Sequence, residues 1–225
     1  MPKSAIDRQG RSDATRSRIL DAAARLFKDK GFAATSLRDI AATANMKAGS
    51  LYYHFDSKED IVAEVLDLGI RHVLDAVESA IADLPGDADS RRKIETAIAT
   101  HLEALLAHGD YTSANIRIFG QVPAQVQKRN MAVRNAYKTL WLGLFEQAQA
   151  DGTIRQDVDL KVLMLFLLGA LNSPVEWYRS DRLPIVKLAR LLTSYTLDGA
   201  ARPIRGGRAG LRRRPAYSDV SCLIS

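Results

Sequence analysis

The 225-residue sequence holds one cysteine, Cys222, three residues from its end, which excludes an internal disulfide. It has no β-branched runs with strand-like alternation, so helical periodicity dominates and the expected class is all-α. Its longest nearly unbroken apolar run, Val162 to Leu171, is about half of what a bilayer-spanning helix needs. Residues 1–16 have no apolar core of the kind a signal peptide carries, so a soluble cytoplasmic protein with no membrane partner is expected. Nucleophile–base pairings, a glycine-rich phosphate loop and metal-ligand spacings are missing too, so no enzyme, no metal and no cofactor are expected. There is no internal repeat.

Charge is what the chain ends do have. Residues 202–225 carry six arginines and one aspartate, and residues 1–18 carry five basic and two acidic side chains, so both ends are basic and the middle is near neutral. Residues 1–12 are expected to be a basic flexible arm and 201–225 a disordered basic tail. A basic stretch of this kind suits contact with a polyanion.

The stretch from Thr35 to Phe55 is the most informative. Leu37, Ile40, Ala41 and Ala44 make one apolar helical face, which Thr35 or Ser36 can cap. Asn45-Met46-Lys47 breaks the pattern, and a second short helix is expected over about 48–54. Two short helices joined by a few residues read as a helix-turn-helix. In the second, Leu51 and Phe55 point inward, while Lys47, Gly49, Ser50, Tyr52, Tyr53 and His54 have no reason to be buried. Small residues at a helix start let the backbone approach a groove, and hydroxyls and an ammonium can meet phosphates and bases.

These residues, with Gly31-Phe32 before them and Lys58-Glu59 after, resemble the DNA-binding domain of TetR-type transcriptional repressors over about residues 13–62. The resemblance implies a DNA-binding domain at 13–56, with DNA contacts at Thr35, Ser36, Arg38, Lys47, Ala48, Gly49, Ser50, Tyr52, Tyr53, His54 and Lys58. It implies that residues 57–200 form a helical ligand-binding and dimerisation domain. The partners it implies are a palindromic double-stranded DNA operator and a second copy of the chain, held through the last two helices.

Outside that motif the periodicity predicts helices from near Asp13 to Lys30, from Ser57 to Ile81, over 91–107, over 129–150, and two more after Asp159. The run over 162–171 is apolar all round, and Ile185, Leu188, Leu191, Leu192 and Tyr195 make an apolar stripe, so a self-associating surface is expected there. His101 and His108 lie seven apart without further ligands, which does not make a metal site.

TetR-type proteins usually hold an effector inside the second domain. Candidate lining residues are Leu105, Phe119, Trp141, Phe145, Phe166 and Trp177, with Arg117, Asn172 and Arg179 as polar contacts. The segment Gly169 to Arg179 resembles the matching helix of family members that control fatty-acid or steroid breakdown, which implies an acyl-CoA thioester as effector. Arg117, Lys128, Arg129, Arg134 and Lys138 are basic residues that can meet CoA phosphates. The alternatives are a multidrug-sensing repressor of an efflux gene, an enzyme built on the C-terminal helices, and an architectural or membrane-surface protein acting through the basic tail.

Overall fold

A computed structural model describes residues 5–107 and 109–201, and it is all-α. Ten α-helices follow one another: α1 (Ala5–Lys30), α2 (Leu37–Thr43), α3 (Ala48–Leu51), α4 (Lys58–Ala82), α5 (Ser90–Ala107), α6 (Gly109–Ile118), α7 (Ala124–Ala150), α8 (Leu160–Asn172), α9 (Pro174–Trp177) and α10 (Ile185–Ala201). A 3-10 turn over Phe119–Gln121 joins α6 to α7, where Gly120 and Pro123 interrupt the pattern. The expected tail at 201–225 lies outside the described residues but for Ala201, and so do residues 1–4 of the expected arm and His108. Residues 5–12 correct the expectation of a flexible arm: they are the first turns of α1, a polar extension of a helix whose buried stripe begins only at Ile19.

α1 ends where Gly31 takes φ +80, a conformation that costs a glycine little. Ser36 caps α2 in a reciprocal box: its hydroxyl accepts the Asp39 N–H and its own N–H donates to the Asp39 carboxylate at 2.9 Å. Asn45 turns the chain at φ +54, and Leu51 and Phe55 then anchor the second helix inward as the spacing predicts. α3 is shorter than expected, a single turn ending at Leu51, with 52–54 continuing as turn.

Two apolar cores exist, and the border between them crosses α4. The first joins α1, α2 and α3 to Ile61–Leu66 of α4, and also to Ala114, Ile118, Val122 and Val126. The second takes Val73, Leu74 and Val77 with the inner faces of α5, α7, α8 and α10. The packing border therefore falls near Gly69 rather than at residue 57. Gly69 has a steric reason to be glycine, because a Cβ there would stand 2.7 Å from the Tyr111 carbonyl oxygen of α6.

α8 is not buried on every side. Met164, Leu167 and Leu171 face the second core, but Val162, Leu165 and Phe166 are exposed, Phe166 by 65 %. On α10, Leu188 is a core residue, while Val186 and Tyr195 are exposed. The stretch Leu160–Trp177 reaches mean hydropathy 1.3, long and apolar enough to cross a membrane by composition, so the ten-residue count understates it. It is interrupted at Ser173, before Pro174, and its exposed face is matched by another on α10.

Candidate DNA-contacting and effector sites

The outward surface around α3 is held in place from behind. Arg16 of α1 donates to the His54 carbonyl at 2.7 Å, pairs with Glu64 of α4, and lies 4.1 Å from the Phe55 ring centroid. One guanidinium thus ties three elements at the back of the recognition unit. In front, Arg38, Lys47, Ala48, Gly49, Tyr52 and Tyr53 are exposed, Tyr53 by 89 %. Ser50 and His54 are half-buried. A Cβ at Gly49 would meet nothing within 4 Å, so nothing inside the protein demands glycine there. An approaching groove would, because close backbone contact leaves no room for a side chain.

Three of the predicted contacts need correction or qualification. Thr35 is buried, and its hydroxyl donates to the Gly31 carbonyl at 2.8 Å, so its side chain does not reach the surface. Ser36 is exposed but its hydroxyl is spent on capping α2. The Lys58 ammonium donates to the Phe32 and Thr35 carbonyls, each at 2.9 Å, and sits 4.1 Å from the Phe32 ring centroid. Lys58 is first a staple between α4 and the loop before α2. Sequence reading places it near DNA without seeing that two carbonyls lie within its reach.

The second site is a cavity of about 310 Å³ between α4, α5, α6, α7 and α8. Its apolar wall includes Ile70, Val73, Leu105, Ile116, Phe119 and Leu168. Asn172 also lines it, so three of the nine predicted residues, Leu105, Phe119 and Asn172, meet there. Trp141 and Phe145 are fully buried behind it. With Tyr137 they form a ladder along α7, the ring centroids 6.2 Å apart from Tyr137 to Trp141 and 5.9 Å from Trp141 to Phe145. Phe166 faces outward from α8, and Trp177 is exposed with its indole N–H donating to Ser173. Arg117 pairs with Glu176 at 2.9 Å on the surface, and Arg179 is exposed. Helical spacing cannot separate a residue that faces a cavity from one that faces the core or another protomer. Of the five basic residues expected to meet CoA phosphates, Arg134 and Lys138 line the cavity, whereas Arg129 pairs with Asp60 at 2.7 Å.

The polar wall is largely invisible to sequence reading. His101 Nδ1 and the Tyr137 hydroxyl share a 2.5 Å hydrogen bond, while Nε2 is buried without a partner of hydrogen-bonding geometry. Burial pushes the imidazole pKa down to about 4, against an opposing pull from the Asn172 side chain, so it is neutral at pH 7. Burial likewise raises the Tyr137 phenol. Asn115 donates to the Leu66 carbonyl of α4 at 2.6 Å and accepts from Arg134 at 2.7 Å.

α6 also reaches the DNA-binding unit. Lys28 pairs with Asp110 at 2.6 Å, which raises its pKa, and the Tyr111 hydroxyl donates to Asp21. A cavity-lining helix is therefore bonded directly to α1.

Comparison with known proteins agrees with this geometry. Residues 19–65 match the model described as "Bacterial regulatory proteins, tetR family", and residues 87–200 match "Tetracyclin repressor-like, C-terminal domain". The HTH-type transcriptional repressor KstR2 of Rhodococcus jostii (strain RHA1) is 33 % identical over 90 % of this chain and 98 % of its own length. Among solved structures, the TetR family transcriptional regulator PfmR from Thermus thermophilus superposes with a TM-score of 0.71 at 25 % identity, over 82 % of this chain and all of its own. AibR, solved with isovaleryl coenzyme A and operator DNA, shares the fold with a TM-score of 0.70 at 24 % identity, over 81 % of this chain and 98 % of its own. With a helix-turn-helix surface at one end and a cavity among the helices at the other, the chain belongs to the TetR family of bacterial transcriptional regulators.

Proposed function

We propose that this regulator is a repressor that binds a palindromic operator as a homodimer and lets go when a small molecule, an acyl-CoA thioester of lipid or steroid breakdown, fills the cavity. The observation that carries the reading is a shared helix. Gly69, Ile70 and Val73 of α4 form one wall of the cavity, and Lys58 at the start of the same helix staples the recognition unit. A ligand acts only by preferring one arrangement of the two DNA-binding units over another. One that wedges between α4 and α6 meets the junction of the two cores and biases the tilt of α4. α6, tied to α1 through Lys28 and Tyr111, is a second route for the same bias. Reversing a 99:1 preference takes about 5.5 kcal/mol of differential binding.

Dimerisation follows from the exposed apolar faces of α8 and α10. Val162, Leu165 and Phe166 on one helix and Val186 and Tyr195 on the other make a surface that water does not favour. A second copy laying the same helices across it brings two recognition units together, as a palindrome requires. Similarity supports the effector class: the relative above is a KstR2 repressor, and the AibR structure holds isovaleryl coenzyme A beside its operator.

The test begins with selection of a duplex from random sequences by the purified protein. Release from that duplex is then measured with octanoyl-CoA, cholyl-CoA, octanoate and CoA alone. The expected result is a palindromic site released by a thioester and not by CoA alone. Selection of no palindrome, or release only by an unrelated cationic drug, overturns the reading.

A further inference from the structure

The charged lining of the cavity is one-sided. Arg134 and Lys138 face it, and no aspartate or glutamate does among the described residues. His101 adds no charge near neutral pH, being held neutral by burial. A half-buried guanidinium commonly answers its charge with a carboxylate, because desolvation without a counter-charge is costly. Arg134 does not. Its Nε donates to Asn130 Oδ1 at 2.8 Å, a terminal N–H group donates to Asn115 Oδ1 at 2.7 Å, and the guanidinium lies 3.4 Å from the Phe119 ring centroid. Among the described residues no carboxylate stands within ion-pairing distance, and burial alone pulls its pKa down to about 10, which still leaves it a cation. Lys138, one helical turn further along α7, has no hydrogen-bond or ion-pair partner among the described residues.

We propose that Arg134, seconded by Lys138, is the receptor for an anionic oxygen of the effector, a carboxylate or a phosphate, whose apolar body lies against the Ile70, Val73, Leu105 and Leu168 side of the cavity. This rests on the reading of the cavity as the effector site. A guanidinium holding only neutral amides still has N–H groups to give, and a charged acceptor binds them about twice as strongly as a neutral one. The amides matter for transmission. Asn115 holds the Leu66 carbonyl of α4 at 2.6 Å, and Asn130 holds Asp67 of α4 at 3.4 Å. An anion that draws Arg134 to itself loosens the two side chains that fasten α6 and α7 to the connector helix. The same one-sided charge disfavours cationic drugs.

The test uses two fluorescent molecules that differ by one anionic group: anilinonaphthalene sulfonate and neutral N-phenylnaphthylamine. Both are titrated into the full-length wild type and into R134Q, which keeps a hydrogen-bonding side chain and loses the charge. Wild type is expected to bind the sulfonate more tightly than the neutral amine, and R134Q to weaken the sulfonate by about tenfold while moving the amine less than about twofold. K138Q is expected to shift the sulfonate in the same direction by less. Octanoate and CoA are then used to displace the sulfonate. Displacement by octanoate assigns the anion to a carboxylate and displacement by CoA to a phosphate, and either must weaken in R134Q. Equal affinity of wild type for the two fluorophores, equal loss of both in R134Q, or displacement that R134Q leaves unchanged overturns the proposal. Failure of the repressor reading would look different: a wild type that binds the sulfonate through Arg134 yet selects no DNA duplex.

Discussion

The surface around α3 and the polar wall of the cavity between α4 and α8 employ their side chains in opposite ways. On the helix-turn-helix face, the side chains of Arg38, Lys47, Tyr52 and Tyr53 make no hydrogen bond or ion pair among the described residues, and Gly49 has open space where a side chain would be. On the cavity wall, Arg134 and Asn115 are bonded to each other and, with Asn130 beside them, to α4, while His101 and Tyr137 are bonded to each other. The first surface is ready to bind without giving anything up. The second is already bonded to α4, so an anion that draws on Arg134 competes with existing contacts, and contacts that weaken on binding couple it to a change of shape.

The largest effect is expected at the proposed dimer face on α8 and α10, since the proposed palindrome needs two copies of the surface around α3 presented together. F166E is expected to give folded monomers whose operator affinity falls by at least about 1,000-fold, because a single half-site lacks the paired contacts. Sedimentation with an operator titration reads both. L188E, at a buried position on α10, is expected to unfold the domain instead, since it buries an unpaired charge. A dimeric F166E that binds the operator normally would show that the exposed α8 face is not the interface.

Next in size is G49L. With nothing within 4 Å of the added Cβ, the melting temperature is expected to stay put, while operator affinity drops by roughly 100-fold because both half-sites are blocked. A fall in melting temperature with DNA binding intact would mean that this glycine serves the fold.

Lys58 sharpens the comparison because it stands beside the DNA face yet is employed like the cavity wall. K58A is expected to cost about 2 kcal/mol of stability, from two charge-assisted hydrogen bonds and a cation–π contact. Denaturant unfolding measures this. Unchanged stability combined with a reduced salt dependence of operator binding would return Lys58 to the phosphate contacts.

The smallest effect concerns pH. The unfolded chain protonates His101 below about 6.5, while the buried imidazole resists until about 4, so stability is full above that window and is lost as pH falls through it. Between pH 7.5 and pH 5.5 this group should remove on the order of 1 kcal/mol, and H101Q should flatten that part of the profile. A profile identical in the variant would mean that other groups set the acid sensitivity.

How much of this is legible in the sequence differs between the two regions for a physical reason. The helix-turn-helix is local: its caps, its turn at Asn45 and its inward Leu51 and Phe55 depend on spacings of a few residues. What spacing does not encode there is the hydrogen bonding of Thr35 and Lys58 to the backbone of a neighbouring loop. The cavity is assembled from five helices, and only tertiary packing decides that Leu105 and Phe119 face it while Trp141 lies behind it and Phe166 faces away. Of its polar wall the sequence shows Asn172, expected as a polar contact, and Arg134 and Lys138, expected to meet CoA phosphates, but not His101, Tyr137 or Asn115, whose inward placement depends on packing.

Whether filling the cavity lowers the affinity for DNA is decided by measuring occupancy and release on one sample. A single titration with octanoyl-CoA follows tryptophan fluorescence, with Trp141 behind the cavity, together with the anisotropy of a labelled operator. The account predicts that release tracks occupancy and that the saturated protein binds its operator at least about 100-fold more weakly. A cavity saturated with ligand on a protein that still holds its operator at full affinity would contradict it.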